Sequence, residues 1–231
     1  MKFQIKRLWF MIVAIIILVA ASWYGYRYWQ ESSVDTDALW SKAVNQMTAW
    51  DSYRYTLTTE FTLDNYRQAE TKINGTYDIE GNLHIYGEIM DTDLEIYQFG
   101  DVYYRQNTST DKDSDWIILE NSPLPNNEIL LMELYPKQYL LPIDGTVEFM
   151  EKEKVDGIME YRYHVTNEGN QTVAADYLTD FAYDITINGE TGEIQQADVT
   201  ARSKSNPSGR WKLHVVFQEV NTAIKLEAPQ P

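Results

Sequence analysis

The chain has 231 residues, of which 13% are aromatic, with 7 prolines and 11 glycines, so its composition favours a packed domain over disorder. It contains no cysteine, which excludes disulfides, thiolate metal sites, cysteine nucleophiles and lipidation of an N-terminal cysteine. The net charge is −16, and the first 30 residues contain basic but no acidic side chains, so the remainder is more acidic still and is expected to repel nucleic acid.

An uncharged apolar segment lies between Arg7 and Arg27. As a helix, residues 8–26 would span roughly 28 Å, which is close to the hydrocarbon thickness of a bilayer. The basic residues Lys2, Lys6 and Arg7 predict a cytoplasmic N-terminus, and the aromatic cluster at residues 23–29 is typical of an outer membrane interface. We therefore predict that residues 1–29 form a cytoplasmic tip and a transmembrane signal-anchor, with the remainder outside the cytoplasm.

A cleaved signal peptide is the alternative interpretation of the same segment. The small residues Ala20, Ala21 and Ser22 offer a cleavage site, and the apolar stretch is not long. The aromatic cluster that follows directly is more typical of an anchor than of a mature N-terminus. Both interpretations export residues 31–231.

The exported part begins with a predicted linker, residues 30–36, and continues as one domain, residues 37–231. Within DALWSKAVNQMTAW, apolar residues recur at helical spacing and predict a helix with one apolar stripe: Leu39, Trp40, Ala43, Val44, Met47 and Trp50. Asp35, Thr36 or Asp37 is expected to cap its N-terminus.

After Asp51 the apolar residues alternate with polar ones, which predicts β-strands. Strands are predicted around residues 53–61, 72–79, 83–89, 94–99, 102–106, 116–120, 147–149, 159–165, 183–187, 194–202 and 211–217, and turn residues separate most of them. Two helical inserts are predicted, within residues 121–142 and at residues 170–180. The pattern indicates an α+β fold: one strongly curved antiparallel sheet, a half-barrel of about eleven strands, covered on its concave face by helices.

Catalytic and metal-binding motifs are weak or missing in the sequence. His84, His164 and His214 each fall on the polar phase of a strand and are expected at the surface. Residues 111–115 resemble the start of a calcium loop, but Trp116 and Ser122 stand where an EF-hand needs glycine and glutamate. We therefore predict no catalytic residue, no metal site and no cofactor, and we do not expect an enzyme.

The order of elements resembles the lipoprotein-carrier superfamily, the LolA-like and LppX/LprG-like proteins of bacterial envelopes. The resemblance covers about residues 37–228 and depends on the leading helix that runs into a first strand, on the mid-chain helical insert, and on AYDITINGETGEIQQADV with its turn between two strands. It implies a half-barrel in which the space between sheet and helices holds acyl chains of lipids or lipoproteins. The apparent helix anchor is a departure from that family. A domain tethered by it would not carry a ligand freely between two membranes.

The apolar phase of the strands and of the mid-chain insert supplies the candidate cavity-lining residues: Tyr55, Leu57, Phe61, Tyr77, Ile85, Ile96, Tyr104, Leu130 and Leu134. A cavity with such walls would suit a lipid acyl chain or another hydrophobic ligand. An ordinary core filled by Trp40, Trp50 and Met132 remains the alternative interpretation. In that case the domain is expected to bind an envelope protein partner, as a protein-interaction or sensor module.

Overall fold

The computed structural model describes residues 34–106, 116–120, 135–140, 145–167 and 176–229, together with the isolated positions Val19 and Ser22. Within this part of the chain, no helix has both the length and the apolar character needed to cross a bilayer. Most of the predicted membrane segment, all of residues 111–115, and most of the two predicted inserts lie outside the described residues. The chain divides into two compact units, residues 1–39 and 40–231, and the second contains every described strand.

Helix α1 spans Thr36–Thr48 and confirms the predicted leading helix. Asp35 caps its N-terminus, since its Oδ1 accepts hydrogen bonds from the backbone N–H of Asp37 at 3.1 Å and of Ala38 at 3.0 Å. Ala43 and Met47 on its apolar stripe are fully buried. The helix ends at Thr48, and the side chain of Trp50, two residues later, is also buried.

Eleven strands are described, and all pair antiparallel in one open sheet, as the alternating pattern predicts and as expected for a half-barrel. They are β1 Tyr53–Leu63, β2 Tyr66–Tyr77, β3 Leu83–Ile89, β4 Thr92–Phe99, β5 Val102–Gln106, β6 Trp116–Glu120, β7 Thr146–Val155, β8 Ile158–Asn167, β9 Leu178–Asn188, β10 Ile194–Ser203 and β11 Arg210–Gln218. The strand order across the sheet is β6-β5-β4-β3-β2-β1-β11-β10-β9-β8-β7.

The topology consists of two meanders joined at the middle of the sheet. Strands β1–β6 pair in chain order, strands β7–β11 do the same, and β1 pairs with β11 to unite them. Strands β6 and β7 follow one another in the chain yet form the two opposite edges. Residues 121–145 therefore connect one edge of the sheet to the other, and the four-residue helix α2, Pro136–Tyr139, lies within this connection.

The two faces of the sheet differ in polarity, as the period of two predicts. On β1, Tyr53, Tyr55 and Leu57 are buried, whereas Arg54 and Thr56 between them are exposed. We call the face that bears Tyr55 and Leu57 the inner face, and the opposite one the outer face. The cross-strand register continues the inner face from Leu57 through Val215, Ala197, Ile185 and Tyr163.

The short helix predicted at residues 170–180 is wrong for its last three residues, because β9 begins at Leu178. Asp180 has a positive φ of 54°, and the register of β9 against β10 shifts beside it, which marks a β-bulge. The extra residue brings Leu178 and Phe181 to the same buried face at a spacing of three. The bulge therefore interrupts the period of two by which a strand is recognised in the sequence.

Candidate ligand-binding face

Most of the predicted lining residues that the structure describes share the inner face. Tyr55 and Leu57 on β1, Ile85 on β3 and Ile96 on β4 are buried there, and Phe61 and Tyr77 are half-buried on the same face. Leu130 and Leu134 lie outside the described residues. The structure thus brings six of the predicted side chains to one face of four consecutive strands, while their contact with a ligand stays a prediction.

Tyr104 lies on the outer face, in contrast to the sequence expectation. Phe99 pairs with Val102 across the two-residue connection Gly100-Asp101, and this register places Tyr103 beside Gln98 and Tyr104 beside Tyr97. Because Gln98 shares the face of Ile96, it is Tyr103 that faces inward. Two adjacent tyrosines give the strand no polar–apolar contrast, so the sequence alone does not reveal which one is on the inner face.

The Tyr55 ring lies flat on the inner face because its cross-strand neighbour is a glycine. Tyr55 pairs directly with Gly75 on β2, and a Cβ added to Gly75 would overlap the Tyr55 ring. Glycine in the middle of a strand often marks such a close approach. The ring therefore forms part of the wall over β2 instead of projecting away from the sheet.

Aromatic rings pack the inner face of β8, β11 and β1 against the segment that carries α1. The Trp40 ring lies 5.2 Å from the ring of Tyr163 on β8. The Trp50 ring lies 5.1 Å from Phe217 on β11, edge-on, and 5.9 Å from Tyr53 on β1. Aromatic contacts of this kind add about 0.5–1.5 kcal/mol each beyond the area that they bury. This part of the sheet is consequently a filled core.

The inner face of β5 and β6 is less buried than that of the central strands. Ile117 and Leu119 on β6 pair with Arg105 and Tyr103 on β5, and they retain 42% and 38% of their accessible surface. Tyr103 is only half-buried. Apolar side chains that remain accessible beside a buried apolar wall are the feature that a hydrophobic ligand requires.

Residues 135–140 are held against both the helical segment and β4. The Tyr135 hydroxyl donates a hydrogen bond to Oε1 of Gln98 on β4. The Lys137 ammonium donates to the backbone carbonyls of Thr48, at 3.3 Å, and Trp50, at 2.8 Å, and so satisfies carbonyls at the C-terminus of α1. Leu140 is 1% exposed. The connection between the sheet edges is therefore fastened beside the inner face at this point.

The outer face carries the histidines, as the sequence predicts, and each is paired with a carboxylate from a neighbouring strand. His164 lies 2.7 Å from Asp184, His214 lies 2.7 Å from Asp198, and His84 lies 3.0 Å from Glu95. Among the residues that the structure describes, no group of three or more such side chains is placed to hold a metal ion. These pairs bind strand to strand across the sheet.

Stacked rings surround His84 on the outer face of β3 to β6. Its imidazole lies 3.9 Å from the Tyr97 ring, nearly parallel to it, and 5.3 Å from the Tyr86 ring. Trp116 on β6 meets Tyr97 edge-on at 5.5 Å. We call His84, Tyr86, Tyr97, Phe99, Tyr104 and Trp116 the outer aromatic cluster, and its Tyr86 is 47% exposed.

Comparison with known proteins identifies the fold. No family model matches the chain, and no curated protein matches it in sequence. The fold is similar to the solved structure of the lipoprotein LppX of Mycobacterium tuberculosis, which is 10% identical, covers 84% of this chain and 100% of its own length, and gives a TM-score of 0.53. LprF from Mycobacterium bovis is 9% identical, covers 84% of this chain and 96% of its own, and gives a TM-score of 0.55.

The chain therefore has an LppX/LprF-like fold, and the resemblance in its sequence is confirmed at the level of the fold. A LolA-superfamily protein of Nitrosomonas europaea also matches, at 10% identity over 84% of this chain and 96% of its own, but with a TM-score of 0.36. A score this low carries no argument. A fold alone does not define a function, which must be argued from the site.

Proposed function

We propose that the exported domain binds the acyl chains of lipids or another hydrophobic ligand on the inner face of its sheet. The observation that carries the proposal is the gradient of burial along this face, from the filled core beside α1 to the accessible apolar side chains of the edge strands, Leu119 on β6 and Phe149 on β7 among them. A purely structural sheet gains stability by covering all of its apolar face. The LppX/LprF-like fold supports the same assignment.

The ligand would lie against the half of the face formed by β1 to β6. The accessible Ile117 and the half-buried Tyr103 line this surface, and the buried Ile85 and Ile96 lie on the same face in the strands beside them. Leu119 adds a further apolar side chain, and Leu130 and Leu134, which lie outside the described residues, stay predicted lining residues. Each methylene group of an acyl chain buried there contributes roughly 0.8 kcal/mol, so a chain of ordinary length needs no charged anchor.

The N-terminal segment is proposed to tether this domain to the cell membrane, with the domain outside the cytoplasm. Its support is the apolar run of residues 8–26 between basic residues and an aromatic cluster. A tethered domain acts within reach of one membrane, so we propose sensing, holding or local hand-over of the ligand. We propose no catalytic step.

Native mass spectrometry of the full chain provides the test. In a fluorinated surfactant, which mixes poorly with hydrocarbon chains, the protein should retain a bound lipid and should take up a fluorescent fatty-acyl probe. A chain with no bound mass and no uptake of the probe would reject the proposal. N-terminal sequencing of the native protein tests the tether separately, since a start near Ser22 or Trp23 would exclude an uncleaved anchor.

Two adjacent residues of β6 offer a matched pair of variants. Leu119 is on the inner face and Ile118 on the outer face, and their exposures are 38% and 46%. Leu119→Glu should weaken binding of the probe about tenfold or more, because it buries a charge against an acyl chain. Ile118→Glu introduces the same charge on the opposite face and should leave the affinity unchanged.

A second candidate function is a protein-interaction or sensor module with a filled core. The outer aromatic cluster favours it, because Tyr86 on β3 and Ile118 on β6 are exposed on the outer face at 47% and 46%. Such patches often mark contact surfaces. Capture of one defined envelope protein by the full chain, lost in Tyr86→Ala and retained in Leu119→Glu, would support this function over ligand binding.

A further inference from the structure

The outer face of β3 to β6 differs from the outer face of other strands in its balance of charge. On other strands, arginines of the outer face pair with carboxylates: Arg54 lies 2.9 Å from Glu219, and Arg162 pairs with Glu151. The four strands β3 to β6 contain one arginine and no lysine, and the cross-strand pairing of that residue, Arg105, puts it on the inner face. The outer face of these four strands therefore bears neither arginine nor lysine.

Two carboxylates on this part of the outer face lie directly opposite each other. Glu88 on β3 pairs in register with Asp93 on β4, and both side chains are exposed. Lys72 on β2 is the other cross-strand neighbour of Glu88, but its ammonium lies 3.1 Å from Glu70. Within the part of the chain that the structure describes, neither Glu88 nor Asp93 forms an ion pair. We call these two residues the carboxylate pair.

The carboxylate pair lacks a balancing cation from the neighbouring histidine as well. Burial lowers the pKa of His84, although Glu95 acts to raise it, so the imidazole is neutral at physiological pH. Like charges directly opposite each other on adjacent strands destabilise a sheet. A cation supplied from outside the chain and placed between the two carboxylates would relieve this repulsion.

An aromatic ring stands next to the carboxylate pair. Along β3, Tyr86 lies between His84 and Glu88 on the outer face, and the His84 ring is 5.3 Å from the Tyr86 ring. Tyr86 nevertheless stays 47% exposed. Since His84 occupies one side of the ring, a group bound beside Glu88 would contact the side that remains accessible.

An apolar row extends from this position to the edge of the sheet. The register sets four side chains of the outer face next to one another across β3 to β6: His84, Tyr97, Tyr104 and Ile118. Ile118, at the end of the row, is 46% exposed. Three strand spacings of about 4.8 Å make the row roughly 14 Å long, and four or five residues of an extended peptide cover that distance.

The combination of two carboxylates with an accessible aromatic ring favours arginine as the bound cation. Calcium takes about six to eight oxygen ligands, and among the described residues no group of three acidic or histidine side chains is placed to hold a metal. A guanidinium is planar, donates to carboxylates through several N–H groups and stacks on aromatic rings, whereas an ammonium is a strongly hydrated point charge.

We propose that the carboxylate pair and the outer aromatic cluster bind an extended, arginine-containing segment of a partner protein. Its guanidinium lies between Glu88 and Asp93 against the Tyr86 ring, and its apolar side chains cover the row that ends at Ile118. This inference rests on the second candidate function and adds the chemistry of the partner to it. It is independent of ligand binding on the inner face.

Three short, capped peptides test the proposal. They alternate leucine with arginine, with lysine or with citrulline, the neutral isostere of arginine, and they carry the same uncharged fluorophore. Alternation places all the polar side chains on one side of an extended peptide. In fluorescence anisotropy, the full chain in a non-ionic fluorinated surfactant should bind the arginine peptide most tightly and the citrulline peptide least. Added salt should weaken the arginine complex, because it screens exposed charges.

The variant Glu88→Gln/Asp93→Asn keeps the size of both side chains and removes their charges. Its affinity for the arginine peptide should fall about 2- to 30-fold, since two exposed ion pairs are lost, and its affinity for the citrulline peptide should stay unchanged. It should unfold in urea at no lower concentration than the wild type, because a repulsion is removed. Tyr86→Leu should reduce the preference for arginine over lysine.

A matched control removes two charges from the outer face of β7, at the opposite edge of the sheet. Glu148 and Glu153 are both exposed there, and Glu148→Gln/Glu153→Gln should bind the arginine peptide like the wild type. If both double variants lose affinity equally, the peptide is attracted only by the acidity of the chain, and the arginine site is overturned. Equal affinity of the wild type for the arginine and citrulline peptides would overturn it too.

The failure of the arginine site is distinguishable from the failure of either proposed function. An envelope protein whose capture depends on Tyr86 but not on the carboxylate pair would overturn the arginine site and leave the second candidate function standing. The variant Glu88→Gln/Asp93→Asn should take up the fluorescent fatty-acyl probe like the wild type. Loss of that uptake would show that the substitutions disturb the inner face, and would contradict a docking surface confined to the outer one.

Discussion

The interior strands and the two edge strands of the sheet share one antiparallel plan but differ in how their inner faces are covered. In β8 to β11 the inner side chains are almost fully inaccessible, as at Ile185 and Val215, which are 0% exposed. On the edge strands β6 and β7 they stay accessible: Ile117 and Leu119 keep 42% and 38% of their accessible surface, and Val147 and Phe149 keep 38% and 37%. A regular alternation of residues thus specifies a strand but not the depth of its burial.

The comparison implies a division of labour between stability and binding. Side chains that contact many neighbours in a filled core set the free energy of unfolding, whereas surfaces with few apolar contacts open at lower cost. The interior strands with the filled core would therefore hold the sheet together, while the edge strands open more easily.

Truncating one isoleucine on an interior strand and one on an edge strand tests the contrast directly. Ile185 on β9 is 0% exposed, and Ile117 on β6 is 42% exposed. Ile185→Ala should lower the free energy of unfolding by about 2–5 kcal/mol, because it leaves a cavity in a filled core. Ile117→Ala should cost under about 1 kcal/mol. Urea unfolding of both variants measures the difference, and equal losses would contradict the division between interior and edge strands.

Filling the space beside Tyr55 tests how rigid the wall over β2 is. A Cβ at Gly75 would overlap the Tyr55 ring, so Gly75→Ala should lower the free energy of unfolding by about 1–3 kcal/mol. Combining it with Tyr55→Leu should recover part of that loss, because the smaller side chain frees the space. A double-mutant cycle in urea measures the recovery. Strictly additive losses would mean that the ring and the glycine do not interact.

Much of the fold was predictable because its strands obey the period of two. The alternation of Tyr53, Tyr55 and Leu57 with polar residues predicted both β1 and its buried face, and the structure confirms both. The prediction failed at residues 178–180, where the bulge at Asp180 breaks the period and places Leu178 and Phe181 on one face. Such a local shift depends on the pairing with β10, which the segment's own sequence does not encode.

The candidate site was predictable only in part, because it depends on register and on contacts between distant segments. Tyr55 and Ile85 follow from alternation, and Tyr53 shares their phase, so attention to that phase would have included it. Tyr103 is on the inner face only because the Gly100-Asp101 connection pairs Phe99 with Val102. The contact of Tyr135 with Gln98 joins residues 37 positions apart and leaves no periodic signal.

The buried carboxylate of Asp78, directly after β2, makes the free energy of unfolding depend on pH. Asp78 is 0% exposed and accepts hydrogen bonds from the backbone N–H groups of Asn82 at 2.8 Å and Leu226 at 3.0 Å, and from the Asn82 side chain at 3.0 Å. Burial alone would raise its pKa, but these bonds outweigh burial and lower it. The ionised form is thus bound more tightly in the folded chain than in the unfolded one.

The stabilisation by Asp78 should be complete above the ordinary carboxyl pKa, ~4, and should vanish as the pH falls through the lowered folded value. Asp78→Asn loses an acceptor oxygen and should cost about 1–3 kcal/mol at pH 7. Urea midpoints measured from pH 7 to pH 3 should fall less steeply for this variant than for the wild type. If the urea midpoints of the variant and the wild type fall in parallel with pH, other carboxylates determine the loss of stability in acid.

The smallest expected effect concerns His84 in the outer aromatic cluster. Burial among the stacked rings lowers its pKa, even though the neighbouring Glu95 acts to raise it. Between this lowered value and the ordinary ~6.5, the unfolded chain binds more protons, so stability should fall as the pH drops through that window. Histidine resonances followed by NMR should show His84 titrating below ~6.5. A midpoint above this value would mean that Glu95 outweighs burial.

The order of the strands also constrains how the chain reaches this structure. Within each meander, neighbouring strands are joined in chain order, so their hairpins form from nearby residues. Uniting β1 with β11 instead brings together residues as distant as Arg54 and Glu219, 165 positions apart. Closing so large a loop costs entropy and slows folding. The seam between β1 and β11 should form last, and a chain cut between β6 and β7 should reassemble from its two pieces by docking along that seam.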